Sequence, residues 1–283
     1  MMTPHSPHTK YALALALIFA AVTSSAAQIR YASGQNVGPV FEGWERNPDG
    51  TFSMVFGYLN RNYEEEVDIP IGPNNTVDPG EDRGQPTHFY PRRQRFVFKV
   101  VVPQDWDKTR RVTWTLTSRG RTDVVKGWLN PELELDAGVI SENSGGSVLE
   151  EGNQPPAINA NPKYTVTLPD AVTLTVSATD DGLPKPRPPR QPPASAAAAT
   201  PTPSPAAPSP PQRRPQGLGI RWIHYRGPGK VTFEPDNVEP VHGKPVEMTT
   251  KVSFSAPGTY VLRATASDGQ LQTPFDVTVT VMN

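Results

Sequence analysis

Val112-Thr113-Trp114-Thr115-Leu116-Thr117 alternates apolar and polar side chains without a break. This two-residue period recurs along most of the chain and constrains its fold more than any other feature. A strand sends successive side chains to opposite faces. Val112, Trp114 and Leu116 are therefore expected to enter a core while the three threonines meet water. Phe96, Phe98, Val100 and Val102 repeat the pattern, with Arg95 and Lys99 on the other face. No stretch of 28–150 carries a helical repeat. Proline makes up 34 of the 283 residues, more than twice the usual share of roughly 5%, and helix interiors reject it. The expected fold class is all-β, with two antiparallel β sandwiches.

Turn chemistry sharpens the first of them. Asn47-Pro48-Asp49-Gly50 lies between strand-like runs over 40–44 and 51–58, which predicts a hairpin, because Pro presets φ and Gly accepts a positive one. Further strands are expected over 66–71, 95–102, 111–117 and 124–129. The intervening segment 72–91 is rich in Pro, Gly and Asn, a long loop of the kind that is functional or mobile.

The first 27 residues read as a secretory signal peptide. Lys10 precedes a 12-residue apolar run over 11–22, too short to span a bilayer. Ser25-Ala26-Ala27 offers a small-residue cleavage site before Gln28. The expected product is exported, periplasmic or extracellular, with no integral membrane segment. The chain has no cysteine, which excludes a disulfide framework, a thiolate metal site and a cysteine nucleophile. A net charge of −1 argues against nucleic acid as a partner.

The polar, Gly-rich segment 141–155 is expected to be a flexible linker between an N-terminal domain (28–140) and a second domain (156–283). In the second, Phe254-Ser255-Ala256-Pro257-Gly258-Thr259-Tyr260-Val261-Leu262 is followed by Ser267-Asp268-Gly269 and a terminal Val277-Thr278-Val279-Thr280-Val281. Over about 153–283 this resembles the polycystic-kidney-disease-type (PKD) and related immunoglobulin-like surface modules of bacteria. The resemblance implies a sandwich with Trp222 as the core tryptophan of its third strand and Tyr260 as a corner tyrosine. Phe56-Gly57-Tyr58-Leu59-Asn60, Gly84-Gln85-Pro86-Thr87 and Trp114-Thr115-Leu116 make the whole chain similar to secreted bacterial proteins that pair a β domain with such a module. The resemblance brings no activity with it. One departure is the stretch 184–217. Its first 32 residues hold 13 prolines and no acidic or aromatic residue, so it is expected to be a disordered tether. The strands on both sides of it are needed for one sandwich, so it reads as an insertion in that sandwich.

The candidate chemistry is sparse. Only His88, His224 and His242 follow the signal peptide, and none has a partner at i+2 or i+4, so no zinc site is expected. No cofactor is expected, with calcium as the one possibility: Asp180, Asp181 and Asp268 fall in loops that such a sandwich gathers at one end. Trp106, in a turn, is a candidate sugar-stacking aromatic. Arg92, Arg93 and Arg95 are candidate contacts to an anionic ligand. Glu64, Glu65, Glu66 and Asp68 form an acidic run that reads as a solvated edge. No nucleophile elbow, phosphate loop or dinucleotide fingerprint occurs. The sequence points to a non-enzymatic structural or interaction protein whose partner is a protein or a cell-envelope polysaccharide. A carbohydrate-binding accessory protein and a small hydrolase are the alternatives.

Overall fold

The hairpin forms where the Asn47-Pro48-Asp49-Gly50 turn places it. Strands β1 (Val37–Arg46) and β2 (Phe52–Asn60) pair antiparallel. Gly50 takes φ +84°, and its N–H donates to the Asn47 carbonyl at 3.0 Å. The computed structural model describes residues 30–144, 147–186 and 216–283. The expected signal peptide and residues 187–215 of the proline tract lie outside the described residues.

In the N-terminal half, β6 (Arg92–Val102) joins β2 to give a sheet of order β1-β2-β6. A second sheet has the order β4-β7-β8, from Asn75–Asp78, Val112–Ser118 and Arg121–Gly127. The strand expected over 66–71 shrinks to β3 (Val67–Asp68), which pairs only with β5 (His88–Phe89). Val112, Trp114 and Leu116 are wholly buried, as their alternation requires. Trp114 meets Phe98 edge-on at 4.8 Å and Phe56 edge-on at 6.1 Å, the arrangement that ring quadrupoles favour. The β2–β6 ladder slips between Phe56 and Tyr58. Gly57 sits at that slip, where a Cβ would run into the Gln94 carbonyl, so the strand needs glycine there.

The C-terminal half is a sandwich. Strands β9 (Ala157–Ala160), β11 (Val172–Thr179), β13 (Val231–Glu234) and β15 (Val246–Phe254) form one sheet in the order β13-β15-β11-β9. Strands β10 (Lys163–Thr167), β12 (Leu218–Arg226), β14 (Asn237–Val241), β16 (Gly258–Ser267) and β17 (Gln272–Met282) form the other, in the order β10-β17-β16-β12-β14. β10 and β17 pair in parallel. Trp222 on β12 is buried, and the hydroxyl of the fully buried Tyr260 donates to the Ala256 carbonyl at 2.8 Å. These are the core tryptophan and corner tyrosine of an immunoglobulin-like sandwich. Strands β11 and β12, which flank the proline tract, lie in opposite sheets of this one sandwich.

The linker differs from its expectation. Helix α1 (Ala137–Asn143) takes in its first residues, with Asp136 as cap accepting from the Val139 N–H at 2.8 Å. The Gln270 side chain then fastens residues 147–150. Its amide donates to Ser147 Oγ at 2.7 Å and the Val148 carbonyl at 2.8 Å, and its oxygen accepts from the Glu150 N–H at 3.0 Å. The described residues from 32 to 283 cluster as one compact unit.

Candidate functional site

The buried Asn75 pins the segment 72–91 at both ends. Asn75 donates to the Ile69 and Pro86 carbonyls at 2.9 and 2.8 Å, and its oxygen accepts from Trp114 Nε1 at 3.0 Å. Three otherwise unpaired buried groups are thereby satisfied at once. The neighbouring Asn74 is exposed.

So held, the loop docks on β12. The Tyr225 hydroxyl donates to the Gly84 carbonyl at 2.5 Å. Arg226 donates from Nε to the Gln85 carbonyl at 2.7 Å and grips Asp82 with both terminal nitrogens at 3.0 and 2.8 Å. Arg263, paired with Asp276 at 2.6 Å, reaches the Val97 carbonyl at 2.6 Å and lies 3.7 Å over the Tyr225 ring. The Tyr90 hydroxyl accepts from the His224 N–H at 2.9 Å, while the Tyr90 N–H donates to the Tyr58 hydroxyl at 2.9 Å.

Within this junction β5 brings His88 against His224 of β12, with ring centroids 4.5 Å apart and planes 26° from parallel. Both residues are buried. His88 Nδ1 meets Asp68 Oδ1 at 2.7 Å, and its Nε2 meets Glu66 Oε2 at 3.1 Å. Glu66 and Asp68 share a face because they are two apart around β3. Burial pulls the pKa of His88 down, but hydrogen bonds to Asp68 and Glu66 more than offset it and raise it to about 9. His224 goes the other way, to about 4, through burial and then the neighbouring His88 charge. The hydrogen bond from His88 in turn lowers the pKa of Glu66. At neutral pH a charged imidazole thus stacks on a neutral one. His224 Nε2 is buried with no hydrogen-bond partner, a state that costs about 1–3 kcal/mol. The carboxylates of Glu66 and Asp68 open on a groove of about 370 Å³, also lined by Glu65, Asn74, Thr117 and Arg119.

His88 and His224 stand 136 positions apart. Spacing at i+2 or i+4 detects ligands on a single element only, so it could not reveal a pair that two halves of the chain bring together. The acidic run is partly a solvated edge, as Glu64 is exposed, but Glu66 and Asp68 are engaged by His88.

The candidate calcium residues gather at one end of the second sandwich. Asp268 is wholly buried, its Oδ1 accepting from the Gln270 and Leu271 N–H groups at 2.6 Å each. Burial raises its pKa. Burial likewise raises that of Asp180, with the charges of Asp268 and Asp181 adding to the effect. Asp268 Oδ2, Asp180 Oδ1 and Asn153 Oδ1 are buried oxygens without a hydrogen-bond donor. Asp181 is differently placed. Its two oxygens accept from the Gln154 and Leu183 N–H groups at 2.9 Å each. Asn153 did not stand out in the sequence, because it lies in the segment read as linker.

The remaining candidates do not converge. Trp106, expected to be an exposed platform, is only 8% exposed and lies beneath the Arg110 guanidinium at 4.0 Å. The turn that suggested exposure folds back onto the core. Arg93 is held by Glu42 at 2.7 Å. Arg92 stacks over Tyr63 at 3.8 Å, and Arg95 reaches Asn143 at 3.3 Å. Each arginine has its own partner, so the three form no common anion cradle.

No family model matches the chain, and no curated protein matches it. Solved structures align at low similarity. Domains 4 and 5 of the S-layer protein SbsC share 10% identity at a TM-score of 0.24, over 60% of this chain and 65% of that one. The PKD domain of human KIAA0319 shares 18% at 0.22, over 48% and 92%. The D00-D0 domain of intimin shares 11% at 0.25, over 87% and 100%.

Proposed function

We propose that the protein is an exported, non-enzymatic structural or interaction module whose two β halves act as one rigid body. The observation that carries this reading is the β12 junction. Tyr225, Arg226 and Arg263 each donate one hydrogen bond to a backbone carbonyl of the other half, at Gly84, Gln85 and Val97. The charged groups that do meet are paired with one another: Glu65 with Arg119, Glu66 and Asp68 with His88, and Asp82 with Arg226. That supports a frame more than a reaction centre. The carbohydrate-binding reading loses its platform with the burial of Trp106. A hydrolase would need two carboxylates free to act as acid and base, whereas Glu66 and Asp68 share one imidazole.

The tract 184–215 is the proposed contact to a protein or a cell-envelope polysaccharide. It carries Lys185, Arg187, Arg190, Arg213 and Arg214 and no acid. Envelope fractions passed over the immobilised protein, with and without residues 184–215, test this. Partners lost with the tract support the reading, and an unchanged set overturns it.

Calcium belongs to the same reading, held by Asp180 and Asp268 with Asn153 as the added ligand and Asp181 alongside. Oxygen donors suit that ion, and three of the oxygens lack any other donor. A ligand at a hundred times its dissociation constant stabilises by about 2.7 kcal/mol, or roughly 5–10 °C for a protein of this size. The melting temperature should rise by that much in calcium over chelator, and Asp268→Asn should abolish the rise. An identical melt in both buffers overturns the site.

A further inference from the structure

We infer that Asp68, His88 and His224 form a site for a borderline transition metal, with Zn(II) as the reference ion, that ties the two halves of the molecule together. One ligand atom from each of the three lies within 4.8 Å of the others. They come from three strands, two in the N-terminal half and β12 in the C-terminal half. Two imidazoles and a carboxylate are a ligand set for zinc, nickel, copper or iron, and a poor one for calcium or magnesium.

A second observation points the same way. His224 Nε2 is buried and has no partner, and native structures rarely leave such a nitrogen unpaired. A metal ion supplies what the nitrogen lacks. The arrangement around His88 also fits. With the ion on the Asp68 side, it replaces the proton now shared between Nδ1 and Asp68. Nε2 keeps its proton and its hydrogen bond to Glu66. A metal-bound imidazole whose far nitrogen is oriented by a carboxylate is the usual supporting arrangement. The movements required are small. Ligand atoms about 2.0–2.1 Å from a tetrahedral ion stand about 3.3 Å apart. The 2.7 Å contact between Asp68 and His88 must open by about 0.6 Å, and one ring must turn out of its stack. Asp68 borders the 370 Å³ groove, which gives an ion a way in and leaves the fourth position to water.

The test uses untagged full-length protein, stripped of metal and titrated with Zn(II) by calorimetry and with Co(II) by visible absorption. One equivalent should bind saturably, with cobalt giving the intense bands of a four-coordinate site. Asp68→Asn and His224→Gln should each weaken binding at least tenfold. Replacing the three other histidines, His5, His8 and His242, should leave it unchanged. The His224 ring packs against Tyr260, so its variant can fail for structural reasons. The exposed Asp68 side chain is the variant that keeps the test decisive, with circular dichroism confirming its fold. No saturable binding by the wild-type protein overturns the inference. So does unchanged affinity in Asp68→Asn, or loss of binding in the His5, His8 and His242 control.

Discussion

Arg226→Met is the sharpest probe of the junction. It keeps the apolar stem of the side chain and removes three hydrogen bonds, one to the Gln85 carbonyl and two to Asp82. The two sets differ in weight. Arg226 is 18% exposed but Asp82 is 50% exposed, so water screens their pair to about 0.2–1 kcal/mol. The bond to the Gln85 carbonyl is charge-assisted and lies in the interface, which puts it at about 1.5–3 kcal/mol. The total of about 2–4 kcal/mol corresponds to a drop in melting temperature of roughly 4–16 °C. Asp82→Ala removes only the screened part and should cost well under half as much. The two parts also separate with pH. The Arg226 hydrogen bond lowers the pKa of Asp82, so the pair contributes in full above the unfolded carboxylate value of about 3.9. That contribution is lost as pH falls through the lowered folded value. The cost of Asp82→Ala should therefore vanish in acid, while the larger part of the Arg226→Met cost persists. Calorimetric melts of both variants and the double variant at neutral and acid pH are the assay. If Arg226→Met melts no lower than Asp82→Ala, the bond to Gln85 carries nothing and the argument for a rigid junction fails.

Asn75→Ala should cost at least about 3 kcal/mol, because it strands Trp114 Nε1 and two carbonyls at once, whereas Asn74→Ala should stay within about 0.5 kcal/mol. Urea midpoints compare the two, and the Asn75 variant should also gain proteolytic cuts within 72–91. Tyr260→Phe removes the 2.8 Å corner bond to Ala256 and should cost about 1–2 kcal/mol, read from the same urea curves.

The strands were legible in the sequence because their signal is local. Val112, Trp114 and Leu116 alternate, Asn47-Pro48-Asp49-Gly50 sets a register, and Tyr260 stands four residues beyond the carbonyl it binds. Where a strand breaks its own period the reading weakened. Phe96, counted with the inward residues of β6, has φ +52° and is only half-buried beside the bulge. The junction was not legible for a different reason. Its acceptors are the carbonyls of Gly84, Gln85 and Val97, and a backbone oxygen leaves no mark on residue type. The bonds that hold residues 147–150 were hidden in the same way, since they come from Gln270, 120 residues away from Glu150. The loops of Asp180 and Asp268 were legible as neighbours because sandwich topology fixes which loops share an end. The histidine pair had no such rule, because it depends on how one half docks on the other.

The cluster and the junction depend on each other physically. A protonated imidazole buried at an interface is costly unless its charge is compensated, and His88 is compensated by Glu66 and Asp68 from its own half alone. The N-terminal half could therefore hold that charge without help. His224 could not be buried with a bare nitrogen unless β12 were already pinned, and the bonds from Tyr225 and Arg226, which come directly after it on the strand, do the pinning. The stability of the junction thus sets how long the two rings stay face to face. Loosening it through Arg226→Met should let water reach His224 Nε2, removing both the penalty of the unpaired nitrogen and the preorganisation that would favour an ion there. A metal affinity that falls in Arg226→Met, although the Arg226 guanidinium bonds to Gln85 and Asp82 and not to the histidines, is what this coupling requires.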